Sequence, residues 1–514
     1  HRDTRASTGN FGAREVPASV MTAAYSESDA YVSAAYSDRD GYVTNARLQH
    51  DVDFKQSLSG LARFRFRPTT TSEITFLVTA LRARDGEQPL VLLGGPLFTI
   101  TRRTEGYTEL DSANAALKAA VTTPFGLLSA TTSCTSWDLG PYASVLAFSP
   151  SELFNGSALS QRNFNEEVKL ASPTTSAIRW QIGAIYTDGS TDGSFTRAFG
   201  PFTIEQSAYR IDAQDLAAFG EATFKLNSAL SLTAGLRAED SRKSMRRQET
   251  VPTPQIFDLH RESTALLPKL AANFAVERAT SVFVSLGAGY KPGGFSAFTG
   301  NRALASFGPE RTKTFEAGVT TTTADKTVSA TLRFFYYDIT GYQIERSFAT
   351  TSVADDYLVV NAARARSYGS ELELAWKPLA GLTLAADLGT TAVTLREFRD
   401  PYTGTSFAGN RAPYVPVYDA SLRADYMHAS GFFGGVELAS NGRTFYTEGE
   451  KLAFGQRAYI LLNARLGYGT GRYRVTAYGD NLTDKGYYSA IAPGTGHGTP
   501  GAPRTYGLEV AVKW

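Results

Sequence analysis

Apolar and polar residues alternate one for one in short stretches spaced along the whole chain. In the last stretch Tyr506, Leu508, Val510, Val512 and Trp514 share one face, and Gly507, Glu509, Ala511 and Lys513 share the other. A strand with one side in an apolar medium and the other against a polar one requires this period of two. Leu230, Leu232, Ala234 and Leu236 likewise oppose Ser231, Thr233, Gly235, Arg237 and Glu239. Tyr368, Leu372, Leu374 and Trp376 oppose Gly369, Glu371, Glu373 and Lys377, and Ile460, Leu462, Ala464, Leu466 and Tyr468 oppose Asn463, Arg465 and Gly467. A packed soluble core does not accept so many charges on the inner face without partners. A polar lumen inside an apolar outer wall does, and the pattern predicts membrane-spanning β-strands, with Trp514 as the terminal aromatic of the closing strand in the girdle at the membrane boundary.

The connections between these stretches alternate between short and long. Ten short ones read as tight turns, at 26–29, 68–72, 122–125, 173–176, 227–228, 276–279, 323–326, 378–381, 428–430 and 469–472, each rich in Gly, Pro, Asn, Asp, Ser or Thr. Longer polar segments lie between them, at 85–112, 138–162, 189–211, 241–264, 291–310, 344–365, 397–414, 446–456 and 486–502, and are expected to be loops on the opposite rim. Ten hairpins give twenty strands, the C-terminal strand adds one, and the segment around Arg2–Gly9 supplies the tail of a first strand, so the total is about twenty-two. The expected fold is all-β, a transmembrane antiparallel β-barrel of about 22 strands with short periplasmic turns and long extracellular loops. The chain is expected to begin inside the first strand, which should pair with the last, because a missing strand would leave backbone groups unpaired in lipid.

Composition agrees with this picture and removes several classes of function. The 514 residues include 26 Tyr and 31 Phe, yet the mean hydropathy is -0.20, as a barrel with half its strand residues facing water requires. No run of about eighteen apolar residues occurs, so no transmembrane helix is expected. The 51 Lys and Arg balance 50 Asp and Glu with no basic block, which argues against nucleic acid as a partner. Cys134 has no second cysteine to pair with, and His1, His50, His260, His428 and His497 are too scattered for a metal site; neither a metal nor a cofactor is expected.

No constellation for catalysis stands out, and no enzyme is expected. Glu166 and Glu167 point to opposite faces of a strand, whereas Glu371 and Glu373 share a face as ordinary lumen residues do. The stretch Gly494-Thr-Gly-His-Gly-Thr-Pro-Gly501 is followed by Pro503 and a strand rather than a helix, so it reads as an external loop and not a phosphate cradle. Aromatic residues of the long polar segments are better candidates: Tyr107, Trp137, Tyr142, Phe154, Phe295, Phe298, Tyr402 and Phe407. Aromatics offer large rigid contact area to a bulky ligand, and the competing expectation is that some only pack loops together or belong to the outer girdle.

Fragments along nearly the whole chain carry a further likeness. They include Asp38-Arg-Asp-Gly-Tyr-Val-Thr-Asn45, Asn165-Glu-Glu-Val-Lys-Leu-Ala-Ser172, Phe219-Gly-Glu-Ala-Thr-Phe224, Leu232-Thr-Ala-Gly-Leu-Arg237 and Gly289-Tyr-Lys-Pro-Gly-Gly-Phe295. Phe307-Gly-Pro-Glu-Arg-Thr-Lys-Thr-Phe-Glu-Ala-Gly318, Asn361-Ala-Ala-Arg-Ala-Arg-Ser-Tyr-Gly-Ser-Glu-Leu-Glu373, Gly479-Asp-Asn-Leu-Thr-Asp484 and Pro503-Arg-Thr-Tyr-Gly507 continue the series. In order and spacing relative to the turns, the chain resembles the barrel of the TonB-dependent outer-membrane receptors. The resemblance implies location in the outer membrane of a Gram-negative bacterium, a plug domain before the first strand, and TonB engaging the N-terminal part. It implies uptake of a scarce bulky solute, a ferric siderophore being the commonest substrate. Nothing in residues 1–514 resembles the plug, which is expected upstream in the same polypeptide or as a separate chain. The alternative function is a receptor-derived barrel that anchors a larger outer-membrane complex, with other subunits as partners, and does not transport.

Overall fold

The computed structural model describes residues 2–25, 27–148, 151–349, 355–400, 404–492 and 495–513. Twenty-two strands make one antiparallel sheet. In chain order the first eight are β1 (Arg2–Gly9), β2 (Arg14–Tyr25), β3 (Ser28–Arg39), β4 (Lys55–Thr69), β5 (Ser72–Gly86), β6 (Tyr107–Thr123), β7 (Gly126–Phe148) and β8 (Ser151–Ala171). Next come β9 (Ile178–Phe199), β10 (Phe202–Lys225), β11 (Leu230–Val251), β12 (Gln255–Glu277), β13 (Thr280–Lys291), β14 (Glu310–Thr322), β15 (Val328–Ala349) and β16 (Asp355–Leu379). The last six are β17 (Leu382–Glu397), β18 (Tyr418–Met427), β19 (Phe432–Asn441), β20 (Tyr459–Gly469), β21 (Tyr473–Asp480) and β22 (Thr505–Lys513). Each strand pairs with its neighbours in sequence, and β1 pairs with β22 from Asp3 opposite Lys513 to Gly9 opposite Gly507, which closes the barrel. Closure leaves no sheet edge, the condition for a sheet to stand in lipid. The expected count and the expected partner of the last strand are both met.

The two faces separate as the alternation requires. Leu232, Leu236, Leu266, Leu270, Leu466 and Leu508 point outward and keep between 39% and 66% of their surface exposed, an apolar band that only a bilayer would cover. Inward charges meet across neighbouring strands: Arg65 with Asp29 at 2.6 Å, Lys269 with Glu221 at 2.8 Å, Arg465 with Asp425 at 2.7 Å and Arg333 with Glu371 at 3.2 Å. Glu371 is thus a paired wall residue. Glu167 lies 3.7 Å from Lys169 on the inner face, while Glu166 on the outer face accepts a hydrogen bond from the Thr132 hydroxyl.

All ten expected turns fall between consecutive strands, Ser26 alone among their residues lying outside those described. The opposite rim departs from expectation. Segments 138–162, 189–211, 241–264 and 344–365, expected as loops, are mostly strand: the ladders β7–β8, β9–β10, β11–β12 and β15–β16 run on to Phe148 opposite Ser151, Phe199 opposite Phe202, Glu249 opposite Gln255 and Ala349 opposite Asp355. Beyond the apolar band both faces meet water, so the sequence loses the contrast that marks a strand while backbone pairing continues. Charge pairs take over the outward face there, among them Arg84 with Asp111 at 2.8 Å, Arg162 with Asp138 at 3.0 Å and Arg210 with Asp192 at 2.9 Å. Such exposed pairs add little stability but keep the projecting hairpins soluble.

Candidate functional site

The long-loop end of the barrel is where most of the packed side chains lie. Residues 292–309, between β13 and β14, fold against the inner faces of β10, β11 and β12, where Phe295, Ala297, Phe298 and Ala305 meet Tyr209, Met245 and Phe257. The Phe298 ring stands edge-on to Phe195 at 5.2 Å and to Tyr209 at 6.2 Å. Polar ties hold the same segment: Arg247 Nε donates to the Ala297 carbonyl at 3.1 Å, Gln255 Nε2 to the Gly300 carbonyl at 2.9 Å and Lys243 Nζ to the Gly293 carbonyl at 3.1 Å. Behind them lies a buried chain of charges, Arg197 to Glu205 at 3.2 Å, Glu205 to Arg247 at 3.4 Å and Arg247 to Glu249 at 2.9 Å.

A second assembly bridges the closing seam. Residues 40–54, 87–106, 481–492 and 495–504 bury Val43, Val52, Val91 and Ile100, with Tyr42, Phe98 and Tyr488 packed around them. Small sheets stitch the loops together, since Val91–Leu92 pairs with His497–Pro500, and Thr44–Asn45 runs parallel to Thr99–Ile100. Arg102, 1% exposed, forms an ion pair with the fully buried Glu87 side chain and donates to the Leu90 carbonyl at 2.6 Å. Burial pushes the Glu87 carboxyl upward, with Arg102 pulling it partly back. Next in the chain of contacts, residues 404–417 and 442–458 join this cap: Tyr414 meets Tyr446 edge-on at 5.0 Å, and their hydroxyls donate to the Ile491 and Ser489 carbonyls, each at 3.4 Å.

His497 makes the cap sensitive to acid. Burial lowers its pKa below the ordinary value, Arg102 lowers it further, and the Thr495 carbonyl 2.7 Å from Nδ1 opposes both. A group whose pKa is lowered by folding contributes stability that is complete above the ordinary histidine value of about 6.5 and falls away as pH drops through the lowered one. Glu87 acts with the opposite sign, since its raised pKa favours the folded cap as pH falls. The contribution of His497 is therefore read from a variant: between pH 7.5 and 5, hydrogen exchange of residues 488–500, corrected for its intrinsic pH dependence, should accelerate more in the wild type than in His497→Gln. Equal acceleration would refute the assignment.

The aromatic residues singled out from sequence do not converge on one point. Trp137 and Tyr142 fall on the inner face of the β7 extension, opposite Ser112 and Thr108 of β6. Tyr107 shares the outward face of β6 with Leu117 and Val121, and Phe154 that of β8 with Phe164 and Val168. Phe295 and Phe298 pack into the loop cluster, and Phe407 stacks on Phe398 at 6.0 Å. Tyr402 and Trp514 lie outside the described residues. Sequence reasoning did not single out Arg247, Glu205, Glu249, Arg102 or Glu87, because each stands among many charged residues of polar segments and its partners are strands or loops away. The site as a whole is a vestibule of packed loops at one end of a lumen lined by charged side chains.

A closed 22-stranded barrel with a polar lumen and an apolar belt is the architecture of the plugged outer-membrane transporters. The family profile described as TonB dependent receptor-like, beta-barrel, matches residues 2–482, and the chain belongs to that family. Among solved structures it is similar to the ferric yersiniabactin uptake receptor FyuA from Yersinia pestis, with a TM-score of 0.87 and 17% identity over 100% of this chain and 80% of that one. The siderophore receptor PiuA from Acinetobacter baumannii gives a TM-score of 0.85 and 13% identity over 100% and 81% of the two chains. The closed form of the ferric-catecholate import receptor Fiu from E. coli K12 gives 0.80 and 13% over 100% and 81%. At these identities the likeness concerns the fold.

Proposed function

We propose that the chain forms the channel and outer vestibule of an active-uptake receptor in the outer membrane of a Gram-negative bacterium, and that its cargo is a ferric siderophore. What carries this reading is the closed 22-stranded wall with charges on its inner face, the strand number of plugged transporters, under a cap built from five loops. A plug domain would seat against the inner wall, where a hollow of about 700 Å³ near the seam is lined by Arg5, Glu15, Tyr31, Ser33, Ser59 and Thr79. TonB would supply the force that displaces it. Trp137 and Tyr142 are the sequence-predicted aromatics placed to meet the solute, since both face inward above the lumen. The siderophore assignment follows the names of the three similar receptors.

Deleting the gene should abolish growth on one class of ferric siderophore as sole iron source. Restoring the full-length gene should rescue growth, and a Trp137→Ala, Tyr142→Ala version should rescue it only at higher siderophore concentration. Unimpaired growth on every iron source, with loss of an outer-membrane assembly instead, would reject transport in favour of an anchoring role.

A further inference from the structure

The outer wall carries a groove where a barrel needs none. Across β18 to β21 the outward positions are small: Ala424, Gly434, Ala464, Ala477 and Gly479 form a floor, bordered by Tyr426, Phe432, Val436, Leu466 and Leu482. The hollow measures about 620 Å³, within the range of roughly 300–1,000 Å³ usual for small-molecule sites. Tyr426, Phe432, Val436 and Leu466 are each more than 40% exposed on the outward face, so the groove is continuous with the apolar band that meets the bilayer. From Phe432 at the short-turn rim to Val436 and Gly479, which lie at one level, it runs roughly 13 Å along the strands. With the strands tilted by about 40°, that is about 10 Å of depth, a third of a hydrocarbon core of roughly 30 Å.

We infer that this groove holds one acyl chain of a phospholipid from the periplasmic leaflet, its headgroup at the short-turn rim. The inference rests on the reading that the barrel stands in the outer membrane. Depth selects the leaflet, because the groove opens at the rim of the short turns and ends short of mid-membrane. Polarity selects the headgroup end, where His428 lines the mouth and its ring can hydrogen-bond a phosphate; Arg472 sits on the adjoining short turn, its guanidinium 5.4 Å from the centre of the Tyr473 ring, and is not part of the groove lining. Hydrophobic transfer cannot drive the binding, since lipid tails are as apolar as the groove. The gain is dispersion: an unfilled hollow over the floor of small residues forfeits contacts that a single flexible chain restores.

The test uses the full-length receptor purified from outer membranes in a mild detergent, with retained lipid identified by native mass spectrometry. Wild type should keep about one phospholipid per barrel. Filling the groove with Gly434→Leu and Ala477→Phe together should lower that retention about tenfold, whereas Ala234→Phe, outward on β11 and remote from the groove, should not. A heat-dependent gel shift confirms that each variant is a folded barrel, and fractionation with the outer membrane tests the membrane reading separately. If folding of the double variant fails, the single Ala477→Phe carries the same comparison. No retained phospholipid in wild type, equal retention in the filled groove, lipid A in its place, or a barrel dimer lost on filling would each overturn the inference.

Discussion

Replacing Arg247 with Ala is expected to cost about 3–5 kcal/mol of local stability and to free residues 292–309 from the wall. The Arg247 side chain is fully buried between Glu205 and Glu249, and its Nε holds the Ala297 carbonyl. Its loss leaves Glu249 buried with Gln255 as its remaining neutral donor, while Glu205 keeps Arg197. Hydrogen exchange should rise in residues 292–309 and at the tips of β11 and β12, with the lower wall unchanged. Removing one charge of each sign, in Arg247→Met, Glu249→Gln, should recover part of the loss, because Glu205 stays paired with Arg197 and no uncompensated carboxylate remains. Protection of 292–309 undiminished in Arg247→Ala would show that the apolar contacts of Phe295 and Phe298, with the Lys243 and Gln255 hydrogen bonds, hold the segment without Arg247.

A second large effect separates neighbours on one strand. Leu236→Arg puts a charge on the outward face of β11 and should destabilise the barrel by about 2–4 kcal/mol if the site sits at membrane mid-depth. Thr233→Arg, three residues away on the lumen face, meets water and the acidic wall residue Glu221, and should cost less than about 1 kcal/mol. Denaturant titration of barrels refolded in lipid vesicles measures both. Equal costs would mean that the outward band is not in contact with lipid.

The strands were legible wherever the two faces differ in medium. Leu232 and Leu236 against Thr233 and Arg237 identify β11 without any tertiary information, and the turn residues at 323–326 and 469–472 place the hairpin ends. The same reading failed at 189–211 and 241–264, where Asp192, Arg210 and Arg242 occupy outward positions that lipid would have made apolar. Backbone pairing there continues from the wall below, a cause that lies outside the segment. The aromatic candidates show a related limit. Composition proposes Phe298 as readily as Trp137, and only the fold separates the ring packed edge-on against Tyr209 from one on the inner face of a projecting hairpin.

Sequence by itself determined the barrel: its strand count, the short-turn rim, the membrane-facing side of each strand and the pairing of the last strand with the first. These follow from local alternation and from the cost of unpaired backbone in lipid, which act on every strand alike. Tertiary structure decided the rest, namely the height of the hairpins, the cap across the seam, the Arg247 and Arg102 charge clusters and the groove over Gly434 and Ala477. Each of these depends on which side chains from distant strands arrive at one place, and a period of two along a single strand carries no record of that.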